Sequence, residues 1–311
     1  MSLIQRVITL AAAGAAAATL TALLAPLGWP FELVGHFKPQ IAFGALACLA
    51  AAVILKRQGG RIGKPAFAAF GAAALINGAV LFFPGEIARP VGGSGEVRLV
   101  WINLHRSSDA LDRVAAATDA DIVLLTELPF ARLAELAQVY PDHPHRLFHG
   151  APGVWGTRDV ALISRLPLRR DAALSSPLAG HSVLAAIVEG DRPFAIFAAH
   201  PFPPATPRHL AQRDGVMTAI GEAAARIDLP YVIAGDFNAT PWTPGYHLLP
   251  GRRAGDPRLA STWFARAPLI GLPIDHVMLS DGIVPHEARV LQDVGSDHFP
   301  LLVEISLSPE G

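Results

Sequence analysis

Tyr231-Val232-Ile233-Ala234-Gly235-Asp236-Phe237-Asn238-Ala239-Thr240 is the stretch on which the fold of this chain turns. Its first four residues form a β-branched, apolar run that reads as a buried strand. Gly235 then hands over to two polar residues at i and i+2. Side chains at that spacing share one side of an extended backbone, so the Asp236 carboxylate and the Asn238 amide reach toward the same place. A strand that ends in an Asx turn has the same spelling, and the spacing alone does not separate the two readings. An acid directly after an apolar strand packs poorly in a core and is well placed to line a cleft at a sheet edge.

The same punctuation recurs along the chain. Asn103 closes the run 97–104, Glu127 follows the strand 121–126, and His200 closes 194–200. Asp275 opens 274–279, and Asp297 with His298 stands just ahead of 301–305. Further strands are expected over 160–164 and 183–189, the latter forming a hairpin with 194–200. Helical spacing covers 109–117, capped by Ser107 or Ser108, and also 130–138 and 208–226. Strands outnumber helices, which points to an α+β fold of two packed sheets with helices outside.

Each polar signal has a plain structural alternative. Glu127 alone would be a solvated strand end; beside other acids it becomes a hard oxygen ligand suited to Mg²⁺, Mn²⁺ or Ca²⁺ rather than zinc, and Asn103 can add an amide oxygen. His200 alone reads as a loop histidine. Gly295-Ser296-Asp297-His298 reads either as a turn with a capping Asp or as a histidine that exchanges a proton near neutral pH once a carboxylate fixes its tautomer. Asp275 is the candidate for that carboxylate, while His276 points to the opposite face and reads as structural. The single cysteine, Cys48, excludes a disulfide framework and a cysteine zinc site.

Taken together and in order, Asn103, Glu127, the Val-Ala-Leu-Ile-Ser-Arg of 160–165, His200, the Gly-Asp-Phe-Asn of 235–238, the Ile-Asp-His-Val of 274–277 and the Ser-Asp-His of 296–298 resemble the endonuclease/exonuclease/phosphatase superfamily. The resemblance spans nearly all of 97–306. It implies a four-layered α/β sandwich, two mixed sheets flanked by helices, that hydrolyses phosphate esters with a divalent metal. It implies Glu127 on that metal, assisted by Asn103 and Asp297. His298, held by Asp275, together with Asp236 would position and activate the attacking water, while Asn238 and His200 would bind the non-bridging phosphate oxygens. Charge agrees, because four clustered acids do not stay ionised together without a cation. Two positions depart from the pattern. His105 stands where many members carry an acid or amide, and Asp159, a surface turn residue or a determinant of substrate fit, stands where glycine is common.

The chain ahead of this domain follows other rules. Hydrophobic residues make up 51% of the 311 and charged residues 16%, well below the ~25% of a soluble domain. Part of the chain is therefore expected out of water, and disorder is excluded. Stretches of 25, 17 and 21 residues without Asp, Glu, Lys or Arg lie at 7–31, 39–55 and 65–85, and roughly 20 apolar residues cross a bilayer core. Three transmembrane helices are expected, over about 7–29, 39–55 and 65–85, followed by a Gly/Ser/Pro linker at 86–95 and a catalytic domain at 96–308. A cleaved signal peptide or a buried helical core is the alternative, disfavoured by the close succession of three such segments and their sparse polar flanks. Lys56, Arg57, Arg61 and Lys64 crowd the second connection, which places that loop inside and everything after the third span outside. The expected location is the cell (inner) membrane, multi-pass, with the catalytic domain periplasmic or extracellular.

Seven basic and two acidic residues precede residue 96, leaving 18 basic and 24 acidic after it, a net of −6. That balance gives no broad basic face for duplex nucleic acid. Arg158, Arg165, Arg169 and Arg170 form the densest basic run and read either as a solvated loop or as contacts to a backbone or lipid headgroup. Trp155, Trp242 and Trp263 are expected in loops near the motifs, anchoring those loops, stacking on a base or dipping into the bilayer. The expected function is a membrane-anchored phosphoesterase, an extracytoplasmic nuclease or, alternatively, a hydrolase of phospholipids or small phosphoesters. The partners expected are the bilayer and a phosphodiester substrate, nucleic acid or phospholipid; nothing points to a protein partner. A catalytically idle binding or sensor domain on the same fold is the reading from another class.

Overall fold

A computed structural model describes residues 3–83, 85–149, 159–175, 178, 181–256 and 261–308; Trp155 and Arg158 lie outside them. Its contacts group the chain into two compact units, one mainly of residues 1–85 and one mainly of 86–311.

The first unit is helical: α1 (Leu3–Leu23), the short α2 (Phe31–Gly35), α3 (Lys38–Arg57) and α4 (Lys64–Gly78), the last prolonged by a 3₁₀ turn over Ala79–Leu81. Among the described residues, three helices are long and apolar enough to cross a bilayer: Leu3–Leu23, Lys38–Arg57 and Lys64–Leu81. They pack through small residues, with Ala12 and Ala52 around Phe70 and Ala45 against Ala73 and Ala74, which lets helix backbones approach closely. Asn77 Nδ2 donates across helices to Thr19 Oγ1 at 2.9 Å. Leu3, Leu10, Leu20, Leu75, Phe82 and Phe83 stay exposed. The first helix stops at Leu23 rather than near 29. Pro26 has no N–H for the helical ladder, and Ala25–Leu27 tighten into a 3₁₀ turn closed by Gly28 at φ 83°.

The second unit has thirteen strands among the described residues: β1 (Ile87–Ala88), β2 (Val97–Asn103), β3 (Ile122–Thr126), β4 (His145–Phe148), β5 (Val160–Ser164), β6 (Leu168–Arg169), β7 (Val183–Val188), β8 (Phe194–Ala199), β9 (Tyr231–Asp236), β10 (Arg252–Ala254), β11 (Asp275–Leu279), β12 (Ile283–Val290) and β13 (Leu301–Leu307). They form two mixed sheets, ordered β1-β10-β11-β9-β8-β7-β6 and β12-β13-β2-β3-β5-β4. The helices are α5 (Ser108–Ala117), α6 (Leu136–Val139), α7 (Ala172–Ser175) and α8 (Pro207–Ala224). Ser107 caps α5 by accepting from Ala110 N.

Alternation sorts the side chains into layers. Leu99, Trp101, Ile122, Leu124, Ile196, Ala198, Val232 and Ala234 pack in the core between the sheets. Their neighbours Val100, Ile102, Val123 and Leu125 pack outward with Leu111 and Val114 of α5, and Phe197 and Ile233 pack outward with Val216, Met217 and Ile220 of α8. Both faces of each sheet are covered, which is why the central strands read as unbroken apolar runs. The result is the expected four-layered sandwich.

Two crossovers set up the site. β2-α5-β3 and β8-α8-β9 each join parallel neighbours, with Asn103 beside Thr126 and Ala199 beside Gly235. Glu127 and His200 therefore emerge at the same ends of their sheets as Asn103 and Asp236. Antiparallel β11 sets Asp275 directly opposite Asp236. Gly235 is required by space, since a Cβ there would run into the Ala199 carbonyl and the Phe237 ring.

Candidate active site

Asn103, Glu127, His200, Asp236, Asn238, Asp297 and His298 line one cleft of about 280 Å³, joined by His105, Phe202, Pro203, Trp263 and Ile274. Asp275, the eighth residue singled out in the sequence, lies fully buried beneath His298. The register brings all eight together from strand ends up to 195 positions apart, Asn103 to His298.

Hydrogen bonds tie the cluster together. Asn103 Nδ2 donates to Glu127 Oε1 at 3.2 Å and to Asp236 Oδ2 at 3.1 Å. Its amide nitrogen thus faces the carboxylates, while its oxygen, expected from the sequence to join a metal shell, accepts from His105 N at 2.9 Å. His200 Nδ1 lies 3.1 Å from Thr126 Oγ1, whose own proton goes to the Asp159 carbonyl; the histidine is therefore the donor of that bond. His200 Nε2 faces Asp236 Oδ2 at 3.4 Å and Glu127 Oε1 at 3.9 Å. His298 Nδ1 donates to Asp275 Oδ2 at 2.8 Å, and Trp101 Nε1 donates to the other oxygen at 2.8 Å. His298 Nε2 is left facing Asp236 Oδ2 at 3.6 Å.

Burial sets the charges. It opposes a charge on His298, but the carboxylates of Asp275 and Asp236 outweigh it and lift the imidazole to about 9. Burial also raises Asp236, reinforced by Asp275 opposite it. For Asp275 burial acts the same way, but His298 wins and holds the carboxyl below the usual range. The trio is an imidazolium between one firmly ionised carboxylate and one with raised proton affinity.

Among the described residues, non-glycine positive φ occurs at four places: His105 (46°), Arg106 (58°), Glu127 (51°) and Asn238 (49°). Three of these line the cleft. Such conformations cost about 1–3 kcal/mol each and persist where surroundings impose them. Here Arg106 N donates to the Glu127 carbonyl, and Asp236 Oδ1 accepts from Asn238 N at 3.1 Å. The last bond is the Asx turn, and it overturns the picture of Asp236 and Asn238 on one extended backbone. The chain turns left-handed at Asn238, and the turn itself delivers both side chains to the cleft.

The described cleft lining holds carboxylates, amides and imidazoles but no Lys or Arg. Asp297 Oδ1 is buried without a hydrogen bond, although His105 Nδ1 stands 3.3 Å away. Its other oxygen accepts from Trp263 Nε1 at 3.2 Å. An orphaned carboxylate oxygen in a cleft that Glu127 and Asp236 also line suits a hard divalent cation. Asp236, Asp275 and His298 also present atoms within 4.8 Å of one another, but both Asp275 oxygens are engaged by Trp101 and His298. The lining carboxylates left to hold a cation are therefore those of Glu127, Asp297 and Asp236.

Other expectations resolve differently. Asp159 is not a surface turn residue; it is buried, with Oδ1 3.2 Å from His149 Nδ1. Two members of the basic run are neutralised, Arg165 by Asp119 and Asp121 and Arg169 by Asp171 and Glu189, while Arg170 donates to the Phe148 carbonyl at 2.7 Å. Trp263 lines the cleft and Trp242 does not. Sequence reasoning missed Trp101 and Thr126, although period-two alternation puts Trp101 on the same face as Asn103. It also missed Arg213, fully buried in the apolar stripe of α8 and donating from Nη1 to the Asn238 carbonyl at 3.1 Å.

His276 supports the loop from below, its Nε2 donating to the Ala239 carbonyl at 2.7 Å while Nδ1 accepts from buried Arg253 Nε at 2.9 Å. Burial and then Arg253 push its pKa down to about 3. A folded value below the unfolded ~6.5 gives stability that is complete above the unfolded value and is lost as pH falls toward the folded one. Between pH 6.5 and 5 the loss amounts to about 2 kcal/mol. His276→Gln keeps a donor and an acceptor without titrating, so its urea midpoint is expected to fall less steeply over that interval. Equal slopes for variant and wild type would remove His276 as the cause.

Residues 100–298 match the model of the Endonuclease/Exonuclease/phosphatase family. The fold is similar to that of an endonuclease/exonuclease/phosphatase from Bacteroides vulgatus, at 18% identity and TM-score 0.55, covering 68% of this chain and 99% of that one. It is also similar to a mannosyl-6-phosphatase from Bacteroides thetaiotaomicron, at 17% identity and TM-score 0.52, covering 68% and 99%. A third is humanized D. rerio TDP2, at 15% identity and TM-score 0.51, covering 67% and 98%. No curated protein matches the chain.

Proposed function

This chain belongs to the Endonuclease/Exonuclease/phosphatase family, whose members are generally metal-dependent phosphoester hydrolases, and from that premise we propose that it is a membrane-anchored, divalent-metal-dependent phosphodiesterase acting as an extracytoplasmic nuclease. One observation carries the hydrolase reading: seven polar side chains from distant strand ends line a single cleft around an orphaned carboxylate oxygen. A buried cluster of this kind is costly to fold and serves no packing purpose.

Each residue has a part in the reaction. Glu127 and Asp297 would hold the metal, with Asn103 orienting Glu127 through its amide. A bound Mg²⁺, or Mn²⁺ or Ca²⁺ in its place, supplies a Lewis acid that neutralises charge on the phosphoryl oxygens. Asp236, with its raised proton affinity, takes the proton of the attacking water. His298, fixed by Asp275, presents Nε2–H to the same place and steadies the developing negative charge. Asn238, whose amide keeps one proton beyond the bond to the Pro201 carbonyl, would bind a non-bridging oxygen with His200 beside it, so that donor is in position before the charge forms.

The anchor rests on the three apolar helices, and the orientation on the basic residues between the second and third. The substrate read here is a nucleic acid strand rather than a duplex, because Arg165 and Arg169 are already paired with acids. The test uses the full chain in detergent with Mg²⁺ on bis(p-nitrophenyl) phosphate, oligonucleotides, RNA and phospholipid vesicles. Turnover of the diesters and oligonucleotides that stops with EDTA and returns with Mg²⁺ is expected. Turnover of vesicles alone would replace the nuclease reading, and turnover of nothing would sink the hydrolase. A reporter active only outside the cytoplasm, fused after Gly311, is expected to be active; a silent fusion reverses the orientation.

A further inference from the structure

The cleft handles one phosphate, but nothing in its described lining answers a second negative charge. Beside it lies a larger cavity of about 530 Å³, within the ~300–1,000 Å³ of small-molecule sites, and the two share Phe202. Pro201 lines this second cavity too, and its carbonyl accepts from Asn238 Nδ2 of the cleft at 3.2 Å. The partition between the two spaces is therefore a single short segment.

The cavity's chemistry differs from the cleft's. Its described lining includes Arg208, Gln212 and His181 and no acid. Asp214, further along the same helix, is engaged by Arg213 at 2.7 Å. The Phe202 ring lies parallel to the His209 ring, centroids 4.6 Å apart and planes 5° apart, which fixes it as a plate. A fixed aromatic plate, an arginine and amide or imidazole donors are the groups that hold a base and a phosphate. Resting on the nuclease reading above, we infer that this cavity is a nucleotide subsite: it takes the nucleotide adjoining the scissile bond, stacking its base on Phe202 and binding its phosphate with Arg208, Gln212 and His181. The substrate class is thereby an oligonucleotide with a phosphate next to the one cleaved, rather than an isolated diester.

Two measurements on the full chain in detergent test this separately from hydrolysis. In titration calorimetry with Mg²⁺, wild type is expected to bind thymidine 3′,5′-bisphosphate about tenfold more tightly than thymidine 5′-monophosphate, the size of one charge-assisted contact. Arg208→Gln is expected to erase that difference. In turnover, a 5′-phosphorylated thymidine dinucleotide is expected to outpace the unphosphorylated one in kcat/KM, and Arg208→Gln to lower the first by about tenfold more than bis(p-nitrophenyl) phosphate. Equal binding of the two nucleotides by wild type, or a uniform loss in the variant, overturns the subsite while leaving the hydrolase intact. Arg208-dependent bisphosphate binding without any diester turnover keeps the subsite and sinks the hydrolase. Glycerophospholipids cleaved in preference to dinucleotides, with the same Arg208 dependence, overturn the nucleotide assignment.

Discussion

Asp236→Asn is expected to lower kcat on bis(p-nitrophenyl) phosphate by about 10³-fold, the middle of the range for a positioned acid–base group, with KM little changed. The substitution keeps the oxygen that accepts from Asn238 N, so the Asx turn survives. What it removes is a charge that is fully buried, raised in proton affinity by burial and then by Asp275. The new amide nitrogen replaces the oxygen that accepts from Asn103 Nδ2 and faces His298, which offsets the relief of the buried charge. Without added metal, the thermal midpoint of the variant is therefore expected to stay close to that of wild type. Loss of turnover at a nearly unchanged midpoint separates chemistry from folding. Glu127→Gln provides the companion measurement, in which the Mg²⁺ concentration for half-maximal rate should rise. Activity of Asp236→Asn within tenfold of wild type would remove Asp236 as the base. Equal loss in kcat and thermal midpoint would make it structural.

Much of this arrangement was legible because strand ends carry chemistry in a readable order. The runs ending at Asn103, Thr126, Ala199 and Asp236 are apolar on both faces, so their limits are sharp, and the polar residue just beyond each is conspicuous. Register was not legible. Nothing local says that Asp275 sits opposite Asp236 or that β2 and β13 are neighbours in one sheet. Edge strands were also missed, for physical reasons. β12 runs Ile-Val-Pro-His-Glu-Ala-Arg-Val, with Pro285 at a bulge that an edge tolerates and a central strand does not. β4 is half-buried along its whole length and lacks a clean apolar signal. The helix expected over 130–138 begins as a 3₁₀ segment, Phe130–Glu135, and becomes α-helical only at Leu136–Val139.

The site's buried support was the least legible part, and Arg213 shows why. In α8 the buried positions are 213, 216, 217, 219, 220, 223 and 224, an apolar stripe at helical spacing with one guanidinium in it. Arginine is almost never fully buried unless paired, so its place in the stripe was a signal of its own. Arg213 Nε and Nη2 donate to Asp214 Oδ1 at 3.0 and 2.7 Å, and Nη1 donates to the Asn238 carbonyl at 3.1 Å. A Cβ on Gly245 would overlap the guanidinium, so that residue leaves it room. The guanidinium thus holds from below the one left-handed residue of the Asx turn. Arg213→Met of similar length removes the donors, leaving a buried carbonyl and Asp214 to find other partners. Asp214 is about a third exposed and finds water, so the cost is mainly that of the unpaired buried carbonyl, about 1–3 kcal/mol, or roughly 5 °C in the thermal midpoint of a domain this size. Arg213→Lys keeps the charge but not the fork and should fall between. For a positioning residue, kcat measured well below the lowered midpoint should also drop, with KM nearly constant, because Asn238 no longer meets the phosphate in the right pose. A destabilised Arg213→Met that retains wild-type kcat at low temperature would confine Arg213 to stability and leave the turn at Asn238 to hold itself.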